Sequence, residues 1–329
     1  MPPIVRSRPL VLVGALVASA VLASPAFAGN GGFAPVTPQS PNADGITQSF
    51  LFITGFCLAI FLLVEGLLIA FVIRYRRRKR ARFADAAQVH GATRLELAWT
   101  AGPVLVLFAI VAFVFWKLPG IQDVPSASAG ESNLVVEVTG TQFTWEFRYP
   151  NGVVTIDQLR APVGRTVELH VTSPDWDVIH SWWVPALGGK IDAIPGRVNK
   201  TWFKATETGL FQGQCAELCG LYHAKMLDSV EVMPASEFDA WLAQRADQQA
   251  AGTSPLGQEL WEGSCAKCHG DSGQGAYGPK IAGSTLLQNP DQVDRLLQNG
   301  FGKMPPVGRE WNDAEITAIT AYLKENLGS

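Results

Sequence analysis

Between Gln214 and Leu227 the chain reads Q-C-A-E-L-C-G-L-Y-H-A-K-M-L, which sets Cys215, Cys219, His223 and Met226 within one short stretch. A second imidazole, His180, lies upstream in V-I-H-S-W-W-V-P. Thiolate, imidazole and thioether together form the soft donor set that suits copper, whereas hard cations take carboxylate oxygens. A one-copper blue site uses two His, one Cys and a weak Met, so here one Cys is left over. Two thiolates can instead bridge two coppers, each metal taking one imidazole, with Met226 a weak axial ligand to one of them. Two other uses of these residues stay open at this level. One is a closed tetrahedral zinc site from Cys215, Cys219, His223 and His180, which leaves Met226 idle. The other is a disulfide, in an oxidising compartment. Gly209, Gly213 and Gly220 predict a loop rather than one face of a helix.

The second chemical motif is Cys265-Ala266-Lys267-Cys268-His269. C-x-x-C-H reads as covalent c-type haem attachment, the two thiols adding to the haem vinyl groups and His269 standing beside them as the proximal iron ligand. A C-x-x-C redox pair or half a zinc site is the competing reading, and the adjoining His weakens both. The sixth iron ligand follows by elimination, because the rest of this segment has no other His and its single Met is Met304, in G-K-M-P-P. Pro305 keeps Met304 out of helical geometry, and neither Pro305 nor Pro306 donates a backbone hydrogen bond. His/Met ligation raises the iron potential, as electron transfer requires.

Both motifs need elements to hold them. Phe50 to Ile73 is long and apolar enough to cross a bilayer, interrupted by Glu65, and it runs into R-Y-R-R-R-K-R-A-R from Arg74 to Arg82. A second apolar run, Leu97 to Trp116, has Trp99 and Trp116 near its ends as interfacial anchors. The basic loop between the spans places that loop inside and everything after Lys117 outside. Before them, Arg6 and Arg8 precede Leu10 to Leu22 and S-P-A-F-A-G, the form of a signal peptide cut ahead of Gly29. From Leu134 the period becomes two: L-V-V-E-V-T-G-T-Q-F-T-W-E-F-R-Y alternates until the turn P-N-G. Further strands are expected at Thr166 to Val171, Ile179 to Val184, Arg197 to Ala205 and Met226 to Met233, spaced by turns like a β-sandwich. A sandwich whose end loops bring a remote His beside a Cys-rich loop is the cupredoxin arrangement. Glu237 to Ala251 reads as a helical linker. Asn312 and Glu315 then cap a last helix with the stripe Ile316, Ile319, Leu323 and Leu327.

The expected fold is therefore a signal peptide (1–28), an exposed lead-in (29–45), a two-helix transmembrane hairpin (46–117), an all-β cupredoxin sandwich (131–233), a linker (234–254) and a C-terminal all-α cytochrome c domain (255–329). Composition agrees with this division: of 329 residues 47% are hydrophobic and only 17% charged, as when apolar segments meet lipid. The net charge of −3 provides no general basic field, and the Arg run is a topology signal between spans, so no nucleic-acid partner is expected. Four of the five cysteines fall into two tight pairs near His, a pattern of cofactor ligation rather than of a disulfide framework.

C-A-E-L-C-G-L-Y-H-A-K-M, with the upstream D-V-I-H-S-W-W-V-P and D-A-I-P-G-R-V-N, resembles subunit II of cytochrome c oxidase and its dinuclear copper centre, CuA, over about Ile46 to Met233. The segment from Pro255 to the end resembles a small class I cytochrome c. The resemblance implies that Cys215 and Cys219 bridge two coppers, with His180 and His223 as terminal ligands and Met226 and the Glu217 carbonyl as weak ones. It also implies a magnesium ion at the Glu217 side chain, where the catalytic subunit makes contact. Glu96, in R-L-E-L-A-W-T, stands where the family has the entrance of a proton path; without the family it reads as an interfacial carboxylate beside Arg94. Phe143 replaces the Trp that commonly receives electrons from a soluble cytochrome, and Trp145 holds the later aromatic position. The implied protein is the electron-accepting subunit of a haem–copper terminal oxidase. It would pass electrons from an external donor, such as a cytochrome or cytochrome bc complex, through its own haem c and the coppers to subunit I, which reduces oxygen. Its partners would be subunit I, the other oxidase subunits and membrane lipid, in a bacterial plasma membrane with both cofactor domains on the outer face. With the cytochrome tethered, a weak, transient contact between the two domains is expected to suffice. The corresponding subunit of a nitric oxide reductase and a membrane-tethered carrier without an enzyme partner are the rival assignments.

Overall fold

A computed structural model describes residues 35–76, 88, 90–126, 132–252 and 255–328. The expected signal peptide lies outside the described residues, as does most of the basic loop.

Pro41–Tyr75 forms α1 and Thr93–Gln122 forms α2. Both are long and apolar enough to cross a membrane, and the most apolar stretch of each has no residue buried by protein. They pack as a hairpin in which Phe52 stacks on Phe113 with ring centroids 4.0 Å apart and Lys117 bonds Gln48. The start of α1 corrects the expected exposed lead-in: Ser40, Asn42 and Ala43 are 2%, 1% and 4% exposed. Pro41 suits the first helical turn, but the polar side chains around it face the sandwich instead of solvent. Asn42 donates through its amide to the Trp202 carbonyl, and Ser40 Oγ accepts from the Lys204 N–H at 3.0 Å. Backbone bonds Gln39 N–H to Ala186 O and Thr206 N–H to Gln39 O complete the joint.

The sandwich has ten strands: β1 Leu134–Thr141, β2 Thr144–Arg148, β3 Val154–Ile156, β4 Gln158–Pro162, β5 Val167–Thr172, β6 His180–Trp182, β7 Ile191–Ala193, β8 Asn199–Phe203, β9 Gly209–Gln214 and β10 Leu227–Met233. One sheet runs β3-β2-β1-β5-β8, another β4-β10-β9, and β6-β7 forms a short ribbon. β1 lies antiparallel to β2 and parallel to β5. Alternation along β1 and β5 turns Val136, Val138, Leu169 and Val171 inward, where they meet Trp145, Phe147, Leu159 and Val230. The stretch read as one alternating run folds back on itself, because Gln142–Phe143 makes a two-residue turn that closes Thr141 on Thr144. The glycine-rich run read as loop is β9 up to Gln214. Gly213 serves close approach there: a methyl at its Cα would lie 2.3 Å from Asp228 Oδ1.

After β10, α3 (Ala235–Ala250) is more than a linker, since Phe238 is fully buried in the sandwich core and Trp241 packs on Tyr149. The C-terminal region contains α4 (Leu256–Leu260), a π-helical turn (Trp261–Cys265), α5 (Ala266–His269), α6 (Pro290–Asn299) and α7 (Asp313–Leu327). The Asn312/Glu315 capping box opens α7, and Ile319, Leu323 and Leu327 are buried beneath it. Val154 and Ile156 of β3 belong to this second core, alongside Leu260, Trp261 and Ile319. Polar contacts reinforce the joint. Arg148 of β2 pairs with Glu146 at 2.6 Å and with the fully buried Glu315 of α7 at 3.0 Å, and Arg245 pairs with Glu259 at 2.6 Å. The expected weak contact between the two regions is thus replaced by a shared apolar core with buried ion pairs.

Candidate functional site

The Cys-rich segment is held at one end of the sandwich by hydrogen bonds to its neighbours. The Gln214 N–H donates to Trp183 O, that of Cys215 to Met226 O and that of Ala216 to Ser181 O. β6 thereby delivers His180 to the loop that leaves β9, while a single 3-10 turn, His223–Lys225, closes the loop before β10. Cys215 and Cys219 Sγ are 3.9 Å apart. Cys219 Sγ lies 3.6 Å from His223 Nδ1 and 3.7 Å from Met226 Sδ, and the Glu217 carbonyl is 3.2 Å from Cys215 Sγ. Ligand atoms of His180, Cys215 and Cys219 fall within 4.8 Å of one another, and all three residues are buried. No disulfide joins the thiols.

Electrostatics favours metal binding here. His180 is completely buried, yet neither ring nitrogen has a hydrogen-bond partner among the described residues; the nearest carboxylate oxygen, on Asp177, is 3.6 Å away. A buried imidazole left this way is costly unless something takes its lone pair. Burial alone lowers the His180 pKa, but Asp177 and Cys215 outweigh it and the net shift is upward. The neighbouring Cys219 thiol holds Cys215 well below the usual thiol range, with help from His180 and the Ser181 N–H, while Cys219 is pushed up in return. One thiolate is thereby available to a soft cation, whose charge would stabilise the second. The orphaned imidazole and the converging sulfurs fit copper, and the fully buried Met226 offers a thioether that a four-coordinate zinc would leave idle.

The second constellation is built on the turn from α4 through α5. Cys265 and Cys268 both have thiols raised by burial, Cys265 up to about 12. His269 Nδ1 lies 2.8 Å from the Pro279 carbonyl. A carbonyl only accepts, so Nδ1 carries the proton and Nε2 keeps its lone pair for a metal. Gly278 packs against the same ring: a methyl at its Cα would lie 2.9 Å from His269 Cε1. Met304 is half-buried at the edge of the second core, in a tight turn where its N–H and C=O both bond Phe301. These residues fit a covalently held haem, with Pro279 orienting the imidazole.

Glu217 is exposed on the Cys-rich loop. Glu96, also exposed, accepts from the Ala92 N–H at the start of α2. His170 sits between Glu137 and Glu168 on the sheet surface, away from both constellations. Three contributors carried no signal in spacing: Gln142, whose amide donates to the Cys219 carbonyl; Asp177, which accepts from the Gln142 N–H at 2.8 Å; and Trp145, whose ring meets His180 edge-on at 6.1 Å.

Three family models match the chain. Residues 32–117 match the transmembrane domain of cytochrome c oxidase subunit II, 153–233 its periplasmic domain, and 254–323 subunit III of the cbb3-type cytochrome c oxidase. Subunit 2 of the cytochrome c oxidase of Alkalihalophilus pseudofirmus is 32% identical over 309 residues, covering 87% of this chain and 89% of that one. The corresponding protein of Cereibacter sphaeroides is 32% identical over 266 residues, covering 68% of this chain and 84% of its own length. Among solved structures, the periplasmic domain of cytochrome oxidase subunit II of Bradyrhizobium japonicum is 37% identical and covers 38% of this chain and 98% of that one, with a TM-score of 0.35. The family implies a CuA copper, for which the His/Cys site is present, and the C-terminal match implies haem. With a relative aligned over almost nine-tenths of its own length, the chain belongs to the cytochrome c oxidase subunit II family, part of an oxidoreductase complex.

Proposed function

We propose that this chain accepts electrons from an external one-electron donor on a haem c and hands them, through a dinuclear copper centre, to subunit I of a haem–copper oxidase. Haem would be attached through Cys265 and Cys268, with His269 and Met304 as its axial ligands. Cys215 and Cys219 would bridge two coppers, His180 and His223 would be their terminal ligands, and Met226 and the Glu217 carbonyl would complete the set. Bound there, iron and copper supply one-electron exchange. The chain's own packing prepares both sites: His180 is completely buried, and the His269 tautomer is set by the Pro279 carbonyl. The exposed Glu217 side chain would meet subunit I, with a magnesium ion at that contact, and Glu96 would stand at a proton entrance. The membrane would be a bacterial plasma membrane with both modules outside. The observation that carries this reading is the buried, unpartnered His180 beside two free thiols. Metal analysis and electron paramagnetic resonance of the purified chain test it, with haem quantified on the same sample. Two coppers sharing one unpaired electron and one covalent haem are expected. A single copper, or zinc after copper-replete growth, overturns the dinuclear assignment.

A further inference from the structure

Lys267 lies between the two cysteines of the C-A-K-C-H motif, and its side chain is only 14% exposed. Its ammonium donates to Asp157 Oδ2 at 2.7 Å and to the Phe143 carbonyl at 2.6 Å. Asp157, at a left-handed φ of 57°, joins β3 to β4 and accepts through Oδ1 from Thr144 Oγ1 at 2.9 Å and from the Trp145 N–H at 2.8 Å. One ammonium therefore binds the haem-attachment turn to the start of β2 and to the β3–β4 corner.

The same two-residue turn holds the copper loop from its other side. Gln142 donates to the Cys219 carbonyl through its side chain and to Asp177, next to His180, through its N–H. Glycines permit both approaches. A methyl at Gly220 would lie 2.8 Å from Gln142 Nε2 and 3.2 Å from Phe143 Cε1, and one at Gly263 would lie 2.3 Å from Ile156 Cγ2. Aromatic rings span the gap as well. Phe143 meets Tyr222 edge-on at 5.7 Å, and Tyr222 meets Tyr277 at 6.1 Å. Tyr222 precedes His223, and Tyr277 precedes the Gly278 that packs on His269.

We propose that Lys267 is a positioning residue. It fixes the haem-attachment turn on Gln142–Phe143, so that haem and copper keep one separation and the haem module covers Phe143 against a soluble carrier. This rests on the reading that the two modules carry haem c and copper. The step it serves is transfer of one electron from haem iron to the copper pair, with no bond made or broken, the external donor then re-reducing the iron. Without the ammonium, the haem turn and the copper loop lose their polar strap, although the Phe143–Tyr222–Tyr277 ring contacts and the apolar core beneath them remain.

The test uses the full chain in its membrane-purified complex, comparing native protein with Lys267→Met, Lys267→Met/Asp157→Asn and Lys267→Arg. The double variant leaves no unpaired carboxylate behind. Covalent haem, copper content, the copper resonance spectrum and both reduction potentials are expected to stay unchanged. Haem-to-copper equilibration after flash reduction should slow at least tenfold in both Met variants and recover to within threefold in Lys267→Arg. Hydrogen exchange should speed up at residues 142–145, with or without metal. Direct reduction of copper by a soluble cytochrome should rise in the Met variants. An unchanged equilibration rate with both cofactors intact overturns the proposal, and so does a slow rate accompanied by lost copper or shifted potentials, which marks Lys267 as merely structural. Absence of covalent haem from the native chain fails the underlying reading instead, and the proposal with it.

Discussion

The cluster of Glu146, Arg148 and Glu315 sets two carboxylates against one guanidinium at the joint between sandwich and C-terminal helices. Burial, reinforced by the neighbouring Glu315 charge and opposed by Arg148, pushes the Glu146 carboxyl from its ordinary 4.5 up to about 8. The folded chain therefore keeps a proton on Glu146 that the unfolded chain has released. Stability from this proton is fully present below pH 4.5 and is lost as pH rises through 8. Each pH unit in that window is worth about 1.4 kcal/mol, so the whole loss is on the order of 5 kcal/mol. Glu146→Gln stays neutral throughout, and its amide oxygen still accepts from Arg148. The variant should match native protein near pH 5 and exceed it by several kcal/mol near pH 9. Denaturant unfolding of the full chain in detergent, followed by tryptophan emission from pH 5 to 9.5, measures the difference. Other buried acids cancel in the comparison. Parallel curves for the two proteins would show that Glu146 ionises normally and that Arg148 satisfies both carboxylates.

Met304→Ala should leave haem attached through Cys265 and Cys268 but open the sixth iron position; the sulfur-to-iron charge-transfer band should vanish, the potential should fall and added imidazole should bind, as absorption spectra and redox titration would reveal. Gly278→Ala forces a methyl into contact with His269 and should disturb axial ligation while covalent haem content holds, read from the low-spin haem resonance. Asn42→Ala leaves the buried Trp202 carbonyl without its donor and should destabilise the joint of α1 with the sandwich by about 1–3 kcal/mol, detected as faster exchange of the Ala43 and Lys204 amides.

The grouping of the candidate donors was legible where the residues lie close together. The Cys-x3-Cys-x3-His run folds into one cluster with Met226, C-x-x-C-H falls on one helical turn, and the two apolar runs form the helices that their length predicts. What was not legible depends on pairs far apart in the chain. Gln142–Phe143 carries no glycine or asparagine, so the turn that folds β1 onto β2 looked like continuous strand. Gly209 and Gly213 suggested a loop, but both lie in β9, where Gly213 admits Asp228 at short range. Val154 and Ile156 alternate like any strand, and nothing local says that they complete the core under Trp261 and Ile319. Lys267 meets Asp157 across 110 positions, and a lysine inside a haem motif gives no hint of that partner.

The joint at Ser40 and Asn42 also has a mechanical consequence. At about 1.5 Å per residue, α1 with its 35 residues is roughly 52 Å long, some 20 Å more than a hydrocarbon layer of about 30 Å requires. Its outer end does not fray into a hinge but is clamped to Trp202 and Lys204, so helix and sandwich tilt together as one lever. Over such an arm, a 5° change in tilt displaces the far end by about 4.5 Å. Whatever grips the helix pair within the membrane would therefore set where the Cys-rich loop stands above it, and a thinner or thicker bilayer would act on that loop from a distance.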